Sequence, residues 1–370
     1  MALLEYLNHT VPDVIPKSVK SFFYRDPLME AALKRNRVIR HGGSQVRFKR
    51  IKSGHSDISE INAANLSVSL AKRETFDTMT GDWGRYIKPI VLPHIDLDRM
   101  QSKEMKKRFI KETVDAVIVS YRNAFCRRIY LGNNATVSGR DAMAMIGSLN
   151  GGLSATPGNN GTANGFVNGG LEFDTPATQN TAGNTYMNLA RRNDTVYDED
   201  NWYNQCVLNT GIGTDFLDAA EEIKMRADSY AEDDEGITLG ILGHAEHVAL
   251  GQEIRSVSAT TGIGLVYTPA DLEKGRGHKV IHIAGGITYH SNRYLTAANL
   301  AVNGGGPISD AAYLLNANGV EIWFNAGNDF RLTPFIDMLE TSNHDADVAK
   351  CILETQFVLR ELLVHGCTRS

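Results

Sequence analysis

The longest regular pattern of apolar positions in the chain predicts one uninterrupted helix from about Asp98 to Tyr130. Asp98 or Ser102 fits its N-terminal cap, and Gly132 with Asn133 fits its end. At about 1.5 Å per residue, roughly thirty residues span about 45 Å, which is long for a domain of this size. We therefore expect the helix to serve as a spine. Its apolar positions are Met105, Phe109, Ile110, Val114, Val117, Ile118, Tyr121 and Phe125.

The segment before this helix shows the alternation typical of β-strands. A first strand is predicted around Val46, Phe48 and Ile51, where apolar residues interleave with basic ones. A second run, residues 66–71, alternates in the same way and is expected to return antiparallel to the first, which makes a protruding hairpin. The following residues, 85–97, contain two prolines, so they predict an edge strand or an extended connector.

Composition changes after Arg140, where a long Gly, Asn and Thr-rich insert begins, and residues 147–190 predict a surface loop or a small β excursion. A compact α/β region follows. It has a helix at 214–232, a strand at 237–242, a second helix at about 243–253, and strands within 280–291 and 311–324. For the final stretch, 351–365, the alternation favours a strand over a helix.

The bulk numbers indicate a globular chain of two or three domains, with 370 residues of which 42% are hydrophobic. The formal net charge is -5, so the whole chain has no nucleic-acid signature. Charge is instead segregated, because residues 31–56 carry eight basic side chains and no acidic one: Lys34, Arg35, Arg37, Arg40, Arg47, Lys49, Arg50 and Lys52. Such a cationic stretch is expected to lie on another molecule.

The four cysteines show no paired spacing, which argues against a disulfide framework and against a cysteine-based zinc site. The N-terminus lacks an apolar run of signal-peptide length, and no run elsewhere is long enough to cross a bilayer. We therefore expect a soluble protein that is made in a reducing cytoplasm and does not associate with membranes.

Three short motifs imitate sites of chemistry, and each is better explained by local structure. His244 and His247 lack the order of a zinc-protease motif, and the turn at Gly211–Gly213 lacks the third glycine of a dinucleotide loop. The loop at 304–307 has no following Lys or Arg for an anion. We therefore predict no catalytic, cofactor-binding or metal-binding residue and no enzymatic activity.

The order of these elements resembles the HK97-like fold of the major capsid proteins of tailed bacteriophages. The resemblance is carried by the basic stretch RVIRHGGSQVRFKRIKSGHSDISEI, the strand SVSLAKRETF, the helix SKEMKKRFIKETVDAVIVSYRNAF, the α/β module and the returning C-terminal strand. It implies an α+β protein with four regions. These are an N-terminal arm (1–37), an extended E-loop hairpin (38–80), a P-domain with the spine helix (81–134 and 341–370), and an α/β A-domain (135–340).

The resemblance also implies a function. A structural protein of this family self-assembles into an icosahedral shell of hexamers and pentamers around double-stranded DNA. The DNA is enclosed without sequence specificity. The expected location is the virion, with assembly in the host cytoplasm. A portal protein is an expected partner, and because Met1 lies close to the arm, so is a separate scaffolding protein. Whether a decoration protein also binds is left open by the resemblance. The alternatives are an encapsulin-like compartment and a soluble α/β enzyme whose site lies in residues 236–340.

Within this resemblance the basic stretch has three interpretations: it binds nucleic acid inside a shell, it lies on an acidic patch of a neighbouring subunit, or it is a solvated face. Alternation of apolar and cationic residues on two faces favours the neighbouring subunit. Trp83, flanked by glycines, is either an interface anchor or a hinge packing residue, and we favour the hinge. The predicted subunit-contact residues are Arg40, Arg47, Phe48, Lys49, Arg50, Lys52 and Trp83.

Overall fold

The structure is a computed structural model, and it describes residues 26–51, 76–100, 102–131, 185–186, 189–190, 205–208, 216–231, 236–261, 280–282, 286–295, 312–339, 345–361 and 364–369. The chain divides into two compact units. The first unit comprises residues 1–44, 83–130 and 320–358, and the second comprises residues 45–82, 131–319 and 359–370.

The helices are α1 (Pro27–Lys34), α2 (His94–Arg99), α3 (Lys103–Leu131), α4 (Phe216–Asp228) and α5 (His244–Thr261), with a 3-10 turn at Ala317–Gly319. The strands of the first half are β1 (Val38–His41), β2 (Gln45–Ile51), β3 (Phe76–Asp82), β4 (Gly84–Pro93), β5 (Thr185–Tyr186), β6 (Leu189–Ala190) and β7 (Gln205–Leu208). The remaining strands are β8 (Leu239–Gly243), β9 (Val280–His282), β10 (Thr288–Asn292), β11 (Ala312–Leu315), β12 (Val320–Asn325), β13 (Arg331–Leu332), β14 (Ile336–Asp337), β15 (Ala346–Leu359) and β16 (Gly366–Arg369).

The sheet of the first unit is built around β15, which at 14 residues is a long strand and is mostly buried. Its strand order is β1-β12-β15-β13, and both β4 and β14 also pair with β15. β4 runs antiparallel to β15 from Gly84↔Thr355 to Pro93↔Ala346. In the described residues β4 pairs with β15 alone, which confirms the predicted edge strand and explains how Pro89 and Pro93 are accommodated.

Helix α3 covers one face of this sheet. Tyr121 donates a hydrogen bond from its hydroxyl to the Cys351 carbonyl over 2.5 Å, and Lys88 donates to the Ser120 hydroxyl over 2.7 Å. The ring of Tyr86 makes edge contacts with Tyr121 and Phe125. The buried apolar side of α3 consists of Ile110, Val114, Val117, Ile118, Tyr121, Phe125, Cys126, Ile129 and Tyr130.

The long helix predicted from the sequence is present, and it begins after Ser102, the second of its two predicted caps, rather than after Asp98. The backbone of Met100 is extended, and this separates the six-residue helix α2 from α3. Ser102 is the cap, since its hydroxyl accepts a hydrogen bond from the Met105 amide over 3.1 Å. That α3 has the role of a family spine helix stays a prediction.

The start of α1 is fixed by a buried carboxylate. Asp26 is the N-cap, and its Oδ1 accepts from the amides of Leu28 (3.0 Å) and Met29 (3.4 Å). The same oxygen accepts from the hydroxyl of Tyr130 over 2.9 Å, which ties α1 to the end of α3. Burial raises the pKa of Asp26, although these hydrogen bonds act in the opposite direction.

We expect Asp26→Asn to keep the fold and Asp26→Ala to destabilise it by about 2–3 kcal/mol. Alanine removes the cap and leaves the Tyr130 hydroxyl buried without this acceptor, whereas the asparagine oxygen still accepts. Because the folded pKa of Asp26 is raised, its contribution to stability decreases as pH rises from about 4 through the folded pKa. Chemical denaturation at several pH values measures this. An Asn variant that gains no stability relative to wild type over that pH range would contradict it.

The second unit contains a sheet with the strand order β7-β16-β11-β8-β10-β9. All five residues of β8 are buried, as expected for a central strand, and it pairs parallel to β10 and antiparallel to β11. Helices α4 and α5 contribute buried residues to the same core. Its main members are Phe216, Ile223, Leu242, Leu250, Ile254, Tyr289 and Leu314.

Most elements predicted for this region are confirmed. Helix α4 lies within its predicted range, strand β8 begins two residues later and ends one residue later than predicted, and α5 extends further to Thr261. In the final stretch, residues 351–359 belong to the strand β15 rather than to a helix. Most of the insert at 147–190 lies outside the described residues, except for β5 and β6. Among the described helices, none is both long and apolar enough to span a bilayer.

Two segments lie in a different compact unit from most of the domain to which the sequence analysis assigned them. Residues 320–340, predicted in the A-domain, belong to the first unit through β12, β13 and β14. Residues 359–370, predicted in the P-domain, belong to the second unit, where β16 pairs with β11 and β7. The assignment of family domains to these units stays a prediction.

Candidate subunit interface

The hairpin formed by β2 and β3 has one buried face and one exposed cationic face. The two strands pair antiparallel from Gln45↔Asp82 to Ile51↔Phe76. Val46, Phe48 and the opposite Met79 are buried, whereas Arg47 and Lys49 are exposed. The predicted alternation of faces is therefore present in this strand, and Arg47 with Lys49 carries the cationic surface that a second molecule can reach.

The strand that pairs antiparallel with β2 in the described residues is Phe76–Asp82. Its apolar residues Phe76 and Met79 are three positions apart, so it lacks the alternation by which residues 66–71 were predicted to return along β2. Residues 66–71 lie outside the described residues, as does Lys52.

Arg50 lies on the buried face of the hairpin, contrary to the purely apolar face that the sequence predicts. Its side chain is only 5% exposed, and its Nε is 3.7 Å from the Glu361 carboxylate. A buried guanidinium paired with a carboxylate is costly to separate. Arg50 therefore contributes to packing within its own chain. Phe48 is buried as well, so among these basic and aromatic hairpin residues Arg47 and Lys49 are the exposed ones.

Trp83 follows the hairpin directly and is buried in its own chain. Its indole Nε1 donates to the carbonyl of Gly43 over 3.0 Å, and the side chain of Asn325 donates to the same carbonyl over 3.4 Å. Gly43 has φ 129°, a conformation that L side chains rarely adopt. These contacts tie together the residues on either side of the hairpin and support the hinge interpretation, which stays a prediction.

Arg40 is exposed and already has a partner in its own chain. Its Nε lies 2.6 Å from the Asp329 carboxylate, and its side chain retains 69% of its accessible surface. An exposed ion pair of this kind contributes little to stability. Arg40 thus presents a partly neutralised charge, unlike a bare cationic anchor.

The sheet of the first unit exposes an apolar face that the sequence reasoning missed. Ile87, Val91 and Ile336 are 53%, 47% and 58% exposed. In the register of β4, β15 and β14, Ile87 is opposite Ile352, while Val348 is opposite both Val91 and Ile336. Residues directly opposite one another point to the same side of a sheet. We name this surface, formed by Ile87, Val91, Ile336, Val348 and Ile352, the apolar sheet face.

A sequence signal for this face exists in β4. Ile90 and Leu92 are buried, and Ile87 and Val91 occupy the opposite side of the same strand. A strand with apolar residues on both sides is typical of a sheet that is covered on both faces. Helix α3 covers one of them.

A group of titratable side chains lies at one end of β4. His94 Nδ1 is 2.7 Å from Asp345 Oδ1, and His94 Nε2 is 3.4 Å from Asp347 Oδ1. Partial burial lowers the pKa of His94, but the contacts with Asp347 and Asp345 outweigh it and raise the pKa. No sequence pattern indicates this group, because roughly 250 residues separate the histidine from Asp345 and Asp347.

Comparison with known proteins identifies the fold. No protein-family model and no curated protein matches the sequence. Among solved structures, a chain of Microbacterium phage Oxtober96 matches with a TM-score of 0.50 and 10% identity, over 92% of this chain and 90% of that one. The capsid of an empty GTA particle has a TM-score of 0.47 at 10% identity, covering 91% of this chain and 95% of that one. The procapsid of satellite phage P4 has 0.43 at 9% identity, covering 97% and 90%.

The predicted resemblance to phage capsid proteins is confirmed at the level of the fold. The match at a TM-score of 0.50 carries this conclusion, and at 10% identity it concerns the fold alone. The arrangement of contacts between copies, and what a shell would enclose, are therefore matters for proposal.

Proposed function

We propose that this chain is a major capsid protein, which self-assembles into an icosahedral shell of hexamers and pentamers that encloses double-stranded DNA. The observation that carries the proposal is the fold match with the Microbacterium phage structure. Because that match spans 92% of this chain and 90% of the other, it includes elements of both units rather than one common motif. The proposed role is structural, so the working residues are contacts rather than catalytic groups.

The apolar sheet face supports a contact with a second copy of the chain. Three of its branched aliphatic side chains are about half exposed in the monomer. Burying the exposed half of such a side chain is worth about 1 kcal/mol, so this face contributes roughly 3 kcal/mol to one contact. A single contact of that size is weak, but a closed lattice repeats it many times.

The cationic face of the hairpin supports a second type of contact, on an acidic surface of a neighbouring copy. Helix α4 presents such a surface through exposed Asp218, Glu221 and Glu222. Complementary charges of this kind increase the rate of association and fix the register more than they raise affinity. Arg47 and Lys49 are the side chains to which we assign this role.

Replacing Arg47 and Lys49 by Gln is expected to slow assembly, and replacing both by Glu is expected to slow it further, by about tenfold at low salt. The reason is the loss, and then the reversal, of electrostatic attraction between copies. Light scattering during assembly measures the rate. The differences should shrink at about 0.5 M salt, where the Debye length is only a few Å. Equal rates for the three proteins at low salt would contradict the assignment.

The proposed partners follow from the same function. They are further copies of the chain, a separate scaffolding protein, a portal protein, and packaged DNA bound without sequence specificity. The proposed place of assembly is the host cytoplasm, and the final location is the virion.

Sedimentation velocity of the full chain, alone and together with the scaffolding protein of the same phage, tests the proposal. Self-assembly predicts a narrow, very fast-sedimenting species in at least one of the two conditions. A monomer or small oligomer at every concentration in both conditions would overturn the proposed function.

A further inference from the structure

We propose that His94, Asp337 and Asp347 bind a divalent first-row transition metal ion, with Zn²⁺ as the representative ion, and that Asp345 is a positioning residue for the histidine. This inference does not rest on the proposed function, since all four residues lie in the first unit of a single chain.

Three elements bring the ligands together. His94 is the first residue of α2, directly after β4, while Asp337 ends β14 and Asp347 lies in β15. Asp337 and Asp347 are paired across the two strands, and the His94 amide donates to the Asp345 carbonyl over 3.1 Å. One ligand atom from each of His94, Asp337 and Asp347 lies within 4.8 Å of the others. The backbone pairing therefore holds the three side chains in place before any ion arrives.

The contact with Asp345 fixes which histidine nitrogen faces the other ligands. Nδ1 lies 2.7 Å from Asp345 Oδ1, so this nitrogen donates its proton to the carboxylate. The other ring nitrogen, Nε2, is then on the side of Asp347, 3.4 Å from Oδ1. A carboxylate that orients a histidine in this way is a common outer partner of metal ligands.

The Asp347 carboxylate is a buried oxygen ligand beside the His94 ring. The residue is 2% exposed, and within the part of the chain that the structure describes, its polar partner is the His94 ring. A buried carboxylate is stable only when it is paired with positive charge or coordinates a metal. Asp337 is exposed, so an ion can enter from solvent on its side, and the Leu339 amide orients its carboxylate through a 2.8 Å hydrogen bond.

The donor set selects the class of ion. One imidazole with two carboxylates suits zinc and related transition metals, whereas calcium and magnesium take oxygen ligands. Two ligands that are each about 2.1 Å from a tetrahedral centre lie about 3.4 Å apart. The separation of Nε2 and Asp347 Oδ1 is 3.4 Å. With three protein ligands, a water molecule would complete the coordination.

Isothermal titration of the full chain with ZnCl₂ tests the site, with thermal unfolding as a second readout. We expect one-to-one binding by the wild type and an upward shift of its Tm, because the ion binds the folded state. Asp337→Asn should raise the Kd at least tenfold while retaining the hydrogen bond to Leu339. Asp345→Ala should raise the Kd by about 10–100-fold, because it removes the acceptor that orients His94, and His94→Ala should abolish binding.

His244→Ala is the matched control, since His244 is an exposed histidine of the second unit. This variant should bind zinc as the wild type does. Loss of binding in His244→Ala, equal binding by Asp337→Asn and wild type, or no one-to-one binding at all would overturn the proposal. If no one-to-one binding is seen, these side chains form an ion-pair cluster only. Tighter binding of CaCl₂ than of ZnCl₂ would also overturn it, because it would show that the imidazole is not a ligand.

Discussion

Replacing Ile87 and Val91 together by Asp is expected to abolish shell formation while leaving the subunit folded. Both side chains are about half exposed on the apolar sheet face, so charged groups are tolerated there in the monomer. In a contact between copies, the change loses about 2 kcal/mol of apolar burial and adds the cost of desolvating two carboxylates, which is several kcal/mol. Each contact is then weakened by far more than about 100-fold. Electron microscopy and sedimentation measure the loss of shells.

Val248→Asp is the control for this prediction. Val248 is 48% exposed on α5 in the second unit, and neither proposed contact includes it. It should assemble as the wild type does, and circular dichroism should show all three proteins folded. Normal shells from the double Asp variant would show that the apolar sheet face is not a contact between copies.

The second large effect is expected at Trp83. Trp83→Ala should destabilise the unassembled chain by about 3–5 kcal/mol, because it removes a large buried side chain and leaves a cavity. Trp83→Phe should reduce the stability by only about 1 kcal/mol. Packing is largely kept, and the Gly43 carbonyl loses the bond from the indole but still accepts the one from Asn325. Urea denaturation followed by circular dichroism measures both differences.

The same pair of variants separates the two interpretations of Trp83. As a hinge packing residue it acts within the chain, so hydrogen exchange of the amides near Gly43 should accelerate in the Ala variant. If Trp83 is instead an interface anchor, Trp83→Ala should leave stability and hydrogen exchange unchanged and should impair assembly. A Trp83→Ala chain with wild-type stability and exchange that fails to assemble would contradict the hinge.

The regular elements were predictable because their cause is local. The apolar residues of α3 recur with the period of a helix, and one side of that helix is what the sheet buries. The sequence left Asp98 and Ser102 as alternative caps of α3, because both residue types cap helices well, and the extended backbone of Met100 decides for Ser102. The edge position of β4 was predictable from Pro89 and Pro93, which a central strand does not accommodate.

Strand pairing and burial of charge were not predictable, because they depend on residues far apart in the chain. Strand β3, which pairs with β2, does not alternate apolar and polar residues, so its sequence does not reveal the pairing. In the sequence, nothing distinguishes Arg50 from the basic residues around it. In the structure its side chain is buried and paired with Glu361, about 310 residues away along the chain. The cluster at His94 has the same origin, because only the register of β4, β14 and β15 brings its members together.

The most direct test of the proposed function is electron microscopy of the full chain, expressed alone and together with the scaffolding protein that we propose as its partner. The account predicts closed shells of uniform diameter in at least one condition, and comparing the two conditions shows whether the scaffold is needed. Small discrete particles under both conditions would contradict self-assembly and leave the fold as the one feature shared with phage capsids.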